Sequence, residues 1–208
     1  MTEQFLARPR RTLLLACAVL ALVVVWAFVV PHGTRTLDLH WWEWMEDTWG
    51  SVGLRAARGL SWLGNGYGRG LAAVLLALPL LARRRWLGLG ALVAVELLTP
   101  LTTELLKSLS GQMRPPERLV YTHGSSFPSG HTSYAAATLV AFVLLYTGPG
   151  PRRPLWWALA ALGTAAMAWS RTYLHAHWLS DVVAGAAWGS ALALAVFALA
   201  QLAASSAR

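Results

Sequence analysis

Apolar residues in this chain come in long blocks, separated by short polar or basic breaks. Residues 13–30 are almost wholly aliphatic, and further runs cover about 70–82, 86–106, 132–147, 155–170 and 181–202. A helix crossing a bilayer needs roughly 20 such residues. The pattern predicts an all-α polytopic membrane protein with six transmembrane helices. The second run is short and reaches back toward Leu60. Breaks fall where the chemistry forces them: "RRR" at 83–85, Pro115, Pro116 and Pro128 in a polar loop over 108–130, and "GPGPRRP" at 148–154. Residues 31–58 mix Asp38, Glu43, Glu46 and Asp47 with tryptophans at 41, 42, 44 and 49. Aromatic rings interleaved with charge suit the membrane interface, which predicts an amphipathic surface helix between the first and second spans. "LGNGYGRG" at 63–70 lacks the strand that a phosphate-cradling loop requires, and reads as a glycine-rich turn.

Composition agrees with this plan. Hydrophobic residues make up 56% of the 208-residue chain and charged ones 12%, about half the charged share of a soluble domain. One membrane-embedded domain over 1–208 is expected. The net charge of +8 does not imply nucleic acid, because the arginines sit at the ends of apolar runs rather than on a solvated face. Arg8, Arg10, Arg11, Arg83, Arg84, Arg85, Arg152, Arg153 and Arg208 fall on one side when the spans alternate, and the positive-inside rule makes that side cytoplasmic. Both termini then lie inside, and loops 108–130 and 171–180 emerge together outside. Cys17 is the single cysteine, so no intrachain disulfide exists. "LLAC" ending there resembles a lipoprotein cleavage box, but too few apolar residues precede it, and the segment reads as an uncleaved first helix.

The two outer loops hold nearly all the candidate chemistry. Lys107 is the only lysine among 17 basic residues and sits at a helix end. Its plain reading is an interfacial snorkel paired with Glu104 one turn back. Its sharper reading is an anion ligand, because Arg114-Pro115 follows seven residues later, and ammonium plus guanidinium suits phosphate. Next comes "FPSGHTSYAA" at 127–136. Ser129 can cap the following helix, Gly130 leaves its amides open to close approach, and His131 sits in the first turn. Such a helix start is an anion site.

Then comes "SRTYLHAHWLSD" at 170–181, four ionisable residues in one bend between apolar runs. Arg171 offers a second fork of donors. His177 and Asp181 are four residues apart, a spacing that brings side chains together on a helix or its entry turn. A carboxylate on one imidazole nitrogen fixes the tautomer and frees the other nitrogen as a nucleophile. His175 is six residues from Asp181 and faces elsewhere. Ser180 is a candidate cap for the sixth helix, which would leave His177 just outside it. Asp181 is the only acid after Glu117, so no carboxylate cluster suggests a metal. Glu96, inside the third span, reads as a helix–helix hydrogen bond, with a transporter pathway as the competing view.

Lys107…Arg114-Pro115, Pro128-Ser129-Gly130-His131 and Ser170-Arg171…His177…Asp181 together resemble, in order and internal spacing, the three motifs of the type 2 phosphatidic acid phosphatase superfamily. The resemblance implies a metal-independent hydrolase of lipid phosphate esters or diphosphates in a bacterial cytoplasmic membrane, working without a cofactor or obligatory protein partner. By the same resemblance His177 attacks phosphorus, Asp181 orients it, and His131 protonates the leaving oxygen. Lys107, Arg114, Ser129, Gly130 and Arg171 hold the phosphoryl oxygens, and water hydrolyses the phosphohistidine. Undecaprenyl pyrophosphate, phosphatidylglycerol phosphate, phosphatidic acid and a lipid A phosphate all fit as substrates, with a slight lean to a polyprenyl pyrophosphate or broad specificity. Competing readings are a lipid phosphotransferase using the same intermediate, a vanadate haloperoxidase, which the apolar spans oppose, and a non-enzymatic transporter.

Overall fold

A computed structural model describes residues 3–33, 35–48 and 50–207. Among them the chain forms helices α1 (Pro9–Gly33), α2 (Arg35–Asp47), α3 (Ser51–Leu63), α4 (Gly66–Ala82), α5 (Trp86–Ser110), α6 (Gly130–Tyr146), α7 (Arg153–Tyr173) and α8 (Leu179–Ser206), with no strand. The all-α membrane architecture read from the sequence is the architecture observed. α1, α5 and α8 are each long and apolar enough to cross a bilayer, and α3 with α4, bent by 58°, passes as a fourth span taken together. The count of six is not reached on this measure, since α6 is apolar but only 17 residues long and α7 is not among the helices that pass.

The segment between the first two spans differs from expectation. Instead of one surface helix over 31–58, α1 continues to Gly33, and α2 and α3 follow as separate helices. Gly50 is extended (φ −160°, ψ 159°) and interrupts them. Trp49, one of the expected interfacial tryptophans, lies outside the described residues. Taken together as one span, α3 and α4 carry the second span back past Leu60, with a bend of 58° between them. The glycine-rich stretch is correspondingly less of a turn than predicted. Only Gly64 and Asn65 break the helix; the Asn65 side chain accepts from the Gly68 N–H (3.3 Å), and Gly66, Gly68 and Gly70 are helical. An asparagine that caps a helix outweighs the poor helical propensity of the glycines behind it.

α6 and α8 form the centre, with α1 laid on α8 and α7 on α6. Inside a bilayer apolar burial gives helices little reason to associate, and close approach of small residues carries more of the packing. Gly185 and Gly189 on α8 provide it. A Cβ on Gly185 would lie 2.6 Å from the Ser129 carbonyl, and one on Gly189 would run into the Ser133 carbonyl. Gly189→Ala therefore forces the two central helices apart. We expect a lower melting temperature in detergent, corresponding to a loss of about 1–3 kcal/mol, typical of overpacking. An unchanged midpoint would show that this approach is not needed. Beneath it, Leu92, Val95, Ala137, Ala141 and Phe197 knit α5, α6 and α8.

The two ends of the bundle are chemically distinct. At one end Glu3 pairs with Arg85 (2.9 Å), Arg153 donates to the Phe5 carbonyl (3.0 Å), and Gln201 accepts from the Phe5 and Leu6 amides (2.8 and 2.9 Å). The N-terminal segment, the 83–85 turn, the α6–α7 turn and the end of α8 thus meet. The opposite end gathers the end of α5, the start of α6, the end of α7 and the start of α8. α7 and α8 diverge from one another on α6, leaving an apolar groove of about 1130 Å³ lined by residues such as Val140, Ala161, Ala165 and Ala186, with no charged side chain. A smaller, polar cavity lies elsewhere in the bundle.

Candidate active site

That cavity, about 550 Å³, is lined by Lys107, Arg114, Gly130, His131, Arg171 and His177, with Arg58, Ser61, Asn65 and Arg69 from α3 and α4 across from them. Six of the eight residues singled out in the sequence therefore face one space. Asp181 and Ser129 stand behind its wall, each fully buried.

α5 ends at Gly111, whose left-handed conformation (φ +59°) is one that glycine adopts without strain. This leaves Lys107 in the last turn, 2.6 Å from Glu104, as the plain reading expected, yet also on the cavity wall. Arg114 is the hub of the loops. Its Nε donates to the Gly124 carbonyl (3.0 Å), Nη2 to those of His123 and Ser125 (2.9 and 3.0 Å), and Nη1 to that of Ala176 (2.7 Å). Nη1 also lies 3.2 Å from His177 Nε2. One side chain thus ties the α5–α6 loop to the α7–α8 loop.

On the other side of the His177 ring, Nδ1 is 3.3 Å from Asp181 Oδ2. These two contacts determine the tautomer. A guanidinium only donates, so Nε2 must accept from Arg114; Nδ1 then carries the proton and gives it to the carboxylate. The nitrogen facing the cavity keeps its lone pair. Burial, followed by the charges of Arg171 and Arg114, holds the His177 imidazole well below its ordinary value, so it is neutral. Burial also pulls the Arg114 guanidinium down from its usual value.

Asp181 is positioned from several sides. It is the third residue of α8, whose N-cap is Trp178 rather than Ser180. Oδ2 accepts from the Trp178 N–H (2.8 Å) and from the Ser126 hydroxyl, while the Asp181 carbonyl accepts from the Ser129 N–H (2.9 Å). His177 does lie just outside the helix, and the pairing survives because Asp181 reaches back to that first turn. Ser129 occupies the N-cap position of α6 but makes no side-chain cap: its Oγ accepts from Thr132 (3.1 Å), and its N–H is spent on α8. Arg171 is 2% exposed, donates to Ser61 Oγ (2.5 Å), and keeps its Nε without a partner among the described residues.

His175 points away. It sits at φ +49°, and its ring packs on Trp42 of α2 with centroids 4.9 Å apart. It does not line the cavity, and burial lowers its value as well.

Several supporting residues escaped sequence reasoning. Asp38 on α2 accepts from both the amide (2.8 Å) and the hydroxyl (2.7 Å) of Ser180, holding the start of α8 from 142 positions away. Gly64 lies against the His131 ring so closely that a Cβ there would displace it. Glu96 accepts from Thr138 on α6 (3.2 Å), the helix–helix hydrogen bond expected of it. Among the described residues, no group of three or more His, Cys, Asp or Glu is placed to hold a metal ion.

An all-helical membrane bundle with a histidine held between guanidinium and carboxylate is the class of protein that fold and site define. The model of the PAP2 superfamily matches residues 88–204, and the chain belongs to that superfamily. The fold is similar over 98% of both chains to the crystal structure of the first transmembrane PAP2-type phosphatidylglycerolphosphate phosphatase from Bacillus subtilis, with a TM-score of 0.73 and 20% identity. It is also similar to Aquifex aeolicus LpxE, with a TM-score of 0.60 and 23% identity over 76% of this chain and 93% of that one. A comparison with curated protein sequences finds no match.

Proposed function

We propose that the chain hydrolyses phosphate esters or diphosphates of membrane lipids through a phosphohistidine on His177, without a metal ion, at the extracytoplasmic end of the bundle. The observation that carries this reading is the relay Arg114–His177–Asp181, which leaves Nε2 unprotonated and facing a cationic cavity. Nε2 attacks phosphorus, and the bond from phosphorus to the lipid oxygen breaks with its electron pair on that oxygen. His131, protonated once a phosphoryl dianion lies beside it, gives that oxygen its proton. Water then attacks the phosphohistidine, returning a proton to His131 and releasing phosphate and a neutral His177. Charge on the equatorial oxygens is met by Lys107, Arg114 and Arg171, preplaced where other phosphatases use a metal.

The direct test is phosphate release by detergent-purified protein from a panel of lipid phosphates in excess EDTA. Release is expected to persist at full rate, and radiolabel from a labelled lipid phosphate is expected to appear on the acid-quenched protein. Loss of release on chelation would remove the mechanism.

Gly130 offers a finer test. A Cβ there meets nothing closer than Lys107 Nζ and Thr103 Cγ2, both at 3.7 Å, so alanine fits the protein. It would project beside the ammonium, into space reserved for a phosphoryl oxygen. Gly130→Ala is expected to keep its melting temperature while KM rises about tenfold, as for one lost hydrogen bond to a charged group. An unchanged KM would mean that the α6 amides do not approach the substrate.

A further inference from the structure

The cavity is more cationic than transfer of one phosphoryl group requires. Lys107, Arg114 and Arg171 serve the side where His177 stands. The facing side, built by α3 and α4, carries two further guanidiniums, Arg58 and Arg69, beside Asn65. Both lie outside residues 88–204, the part matched by the family model. Neither is in an ion pair among the described residues, where the pairs are Arg85–Glu3, Lys107–Glu104 and His177–Asp181.

Arg69 is held in place. Its guanidinium lies over the Tyr134 ring, 4.5 Å from the centroid, and the Tyr134 hydroxyl donates to the Arg69 carbonyl (2.8 Å). Glu96 acts on it electrostatically from within the bundle without closing a salt bridge. Arg69, Arg171 and Lys107 all stand near enough to act on the charge of His131. A guanidinium fixed on an aromatic face presents its remaining N–H groups in one direction at small entropic loss. Arg58 is exposed, and by itself would read as an interfacial snorkel. Arg69 is half-buried and faces the cavity, which a snorkelling side chain does not.

We infer that Arg69, assisted by Arg58, forms a second anion subsite for a phosphoryl group neighbouring the one that His177 attacks. The substrate class is then a lipid with two phosphoryl groups. This rests on the phosphohistidine reading above. For a lipid diphosphate the balance is simple. Nε2 takes the terminal phosphoryl group, the bridging P–O bond breaks, and its electron pair stays on the bridging oxygen. A lipid monophosphate leaves, its new charge met by Arg69. Water then cleaves the N–P bond and releases inorganic phosphate.

The experiment measures kcat/KM of the full-length protein in detergent micelles on three substrates: a polyprenyl diphosphate, phosphatidylglycerol phosphate and phosphatidic acid. The variants are Arg69→Gln, Arg69→Lys and Arg58→Gln. The expected result is that Arg69→Gln lowers the ratio of a two-phosphoryl substrate to phosphatidic acid by about tenfold or more, chiefly through KM, as for a lost charge-assisted hydrogen bond. Arg69→Lys restores part of the ratio. A larger loss on the polyprenyl diphosphate identifies adjacent phosphoryl groups; a larger loss on phosphatidylglycerol phosphate identifies groups spaced by glycerol. A ratio unmoved by Arg69→Gln, with the wild type active, overturns the subsite and leaves the phosphatase reading standing. Failure of the wild type on all three overturns both. Should Arg69→Gln not fold, Arg58→Gln, at an exposed position, carries the same comparison: a lowered ratio supports the subsite and an unmoved one overturns it.

Discussion

Phosphate release is expected to fall by about four orders of magnitude or more when His177 is replaced by glutamine, because the proposed nucleophile is then gone; losses of that size accompany removal of a nucleophile in comparable catalytic relays. Glutamine keeps an acceptor near Arg114 and a donor near Asp181, so the loss reports chemistry rather than collapse. His175→Asn is the control. Its left-handed backbone suits asparagine, and its ring faces Trp42 rather than the cavity. Activity of that variant is expected to stay within about tenfold of wild type, in line with a residue whose contacts lie outside the cavity. Near-normal release by His177→Gln, or an equal collapse in His175→Asn, would sink the assignment. pH offers a second reading of the same residue. Burial and the charges of Arg171 and Arg114 depress the His177 value below 6.5. The neutral, active form therefore persists into more acid solution than an ordinary imidazole allows. After correction for the ionisation of the substrate, kcat/KM should show no His177 limb near pH 6.5. Stability follows the same sign. The unfolded chain binds a proton that the native state refuses, so the native state loses ground as pH falls below the ordinary imidazole value of about 6.5.

Asp181→Asn is expected to lower kcat by roughly ten-thousandfold, the loss found when an amide replaces the carboxylate that orients a catalytic histidine. Oδ2 accepts from His177 Nδ1, the Trp178 amide and the Ser126 hydroxyl. An amide that turns its oxygen to this trio keeps the helix start but no longer stabilises the imidazolium-like charge that develops as Nε2 bonds to phosphorus. An amide that turns its nitrogen there leaves the Trp178 N–H without its acceptor and donates to Nδ1, which favours the wrong tautomer. Melting temperature and kcat separate the two, and both lower turnover. Wild-type kcat in this variant would mean that the tautomer is set by Arg114 alone. Asp181→Ala is a poorer test, because it also removes the acceptor at the N-terminus of α8.

How legible these parts were depended on how far apart in sequence their partners lie. The step from His177 to Asp181 is four residues, and helical geometry alone brings such side chains together. Lys107, Arg114, Gly130, His131 and Arg171 were identifiable because ionisable or glycine positions at helix ends in an apolar chain have few other uses. Asp38 reaches Ser180 across 142 positions and Ser61 reaches Arg171 across 110, and no local pattern announces either. Arg114 shows the converse. Its residue type was right for an anion, yet most of its donors go to loop carbonyls, a commitment visible only once two loops are folded together. Ser129 likewise looked like a cap, and the approach of α8 to α6 takes its amide instead. The surface helix expected over 31–58 became α2 and α3 because an extended Gly50 interrupts it, and a mixed polar and aromatic composition cannot tell one helix from two.

The sequence by itself determined the class of this protein. Its apolar blocks demand a membrane, its breaks delimit helices, and its polar residues cluster at helix ends. Those are local properties, set by transfer energies and backbone sterics within a few turns. Tertiary structure decided which residues share a cavity and which stand behind its wall. It also decided which nitrogen of His177 is unprotonated and that Arg69 faces that histidine's cavity. These depend on how closely α3, α4, α6 and α8 approach one another. That is governed by glycines and by single hydrogen bonds between residues far apart in the chain, which no periodicity records.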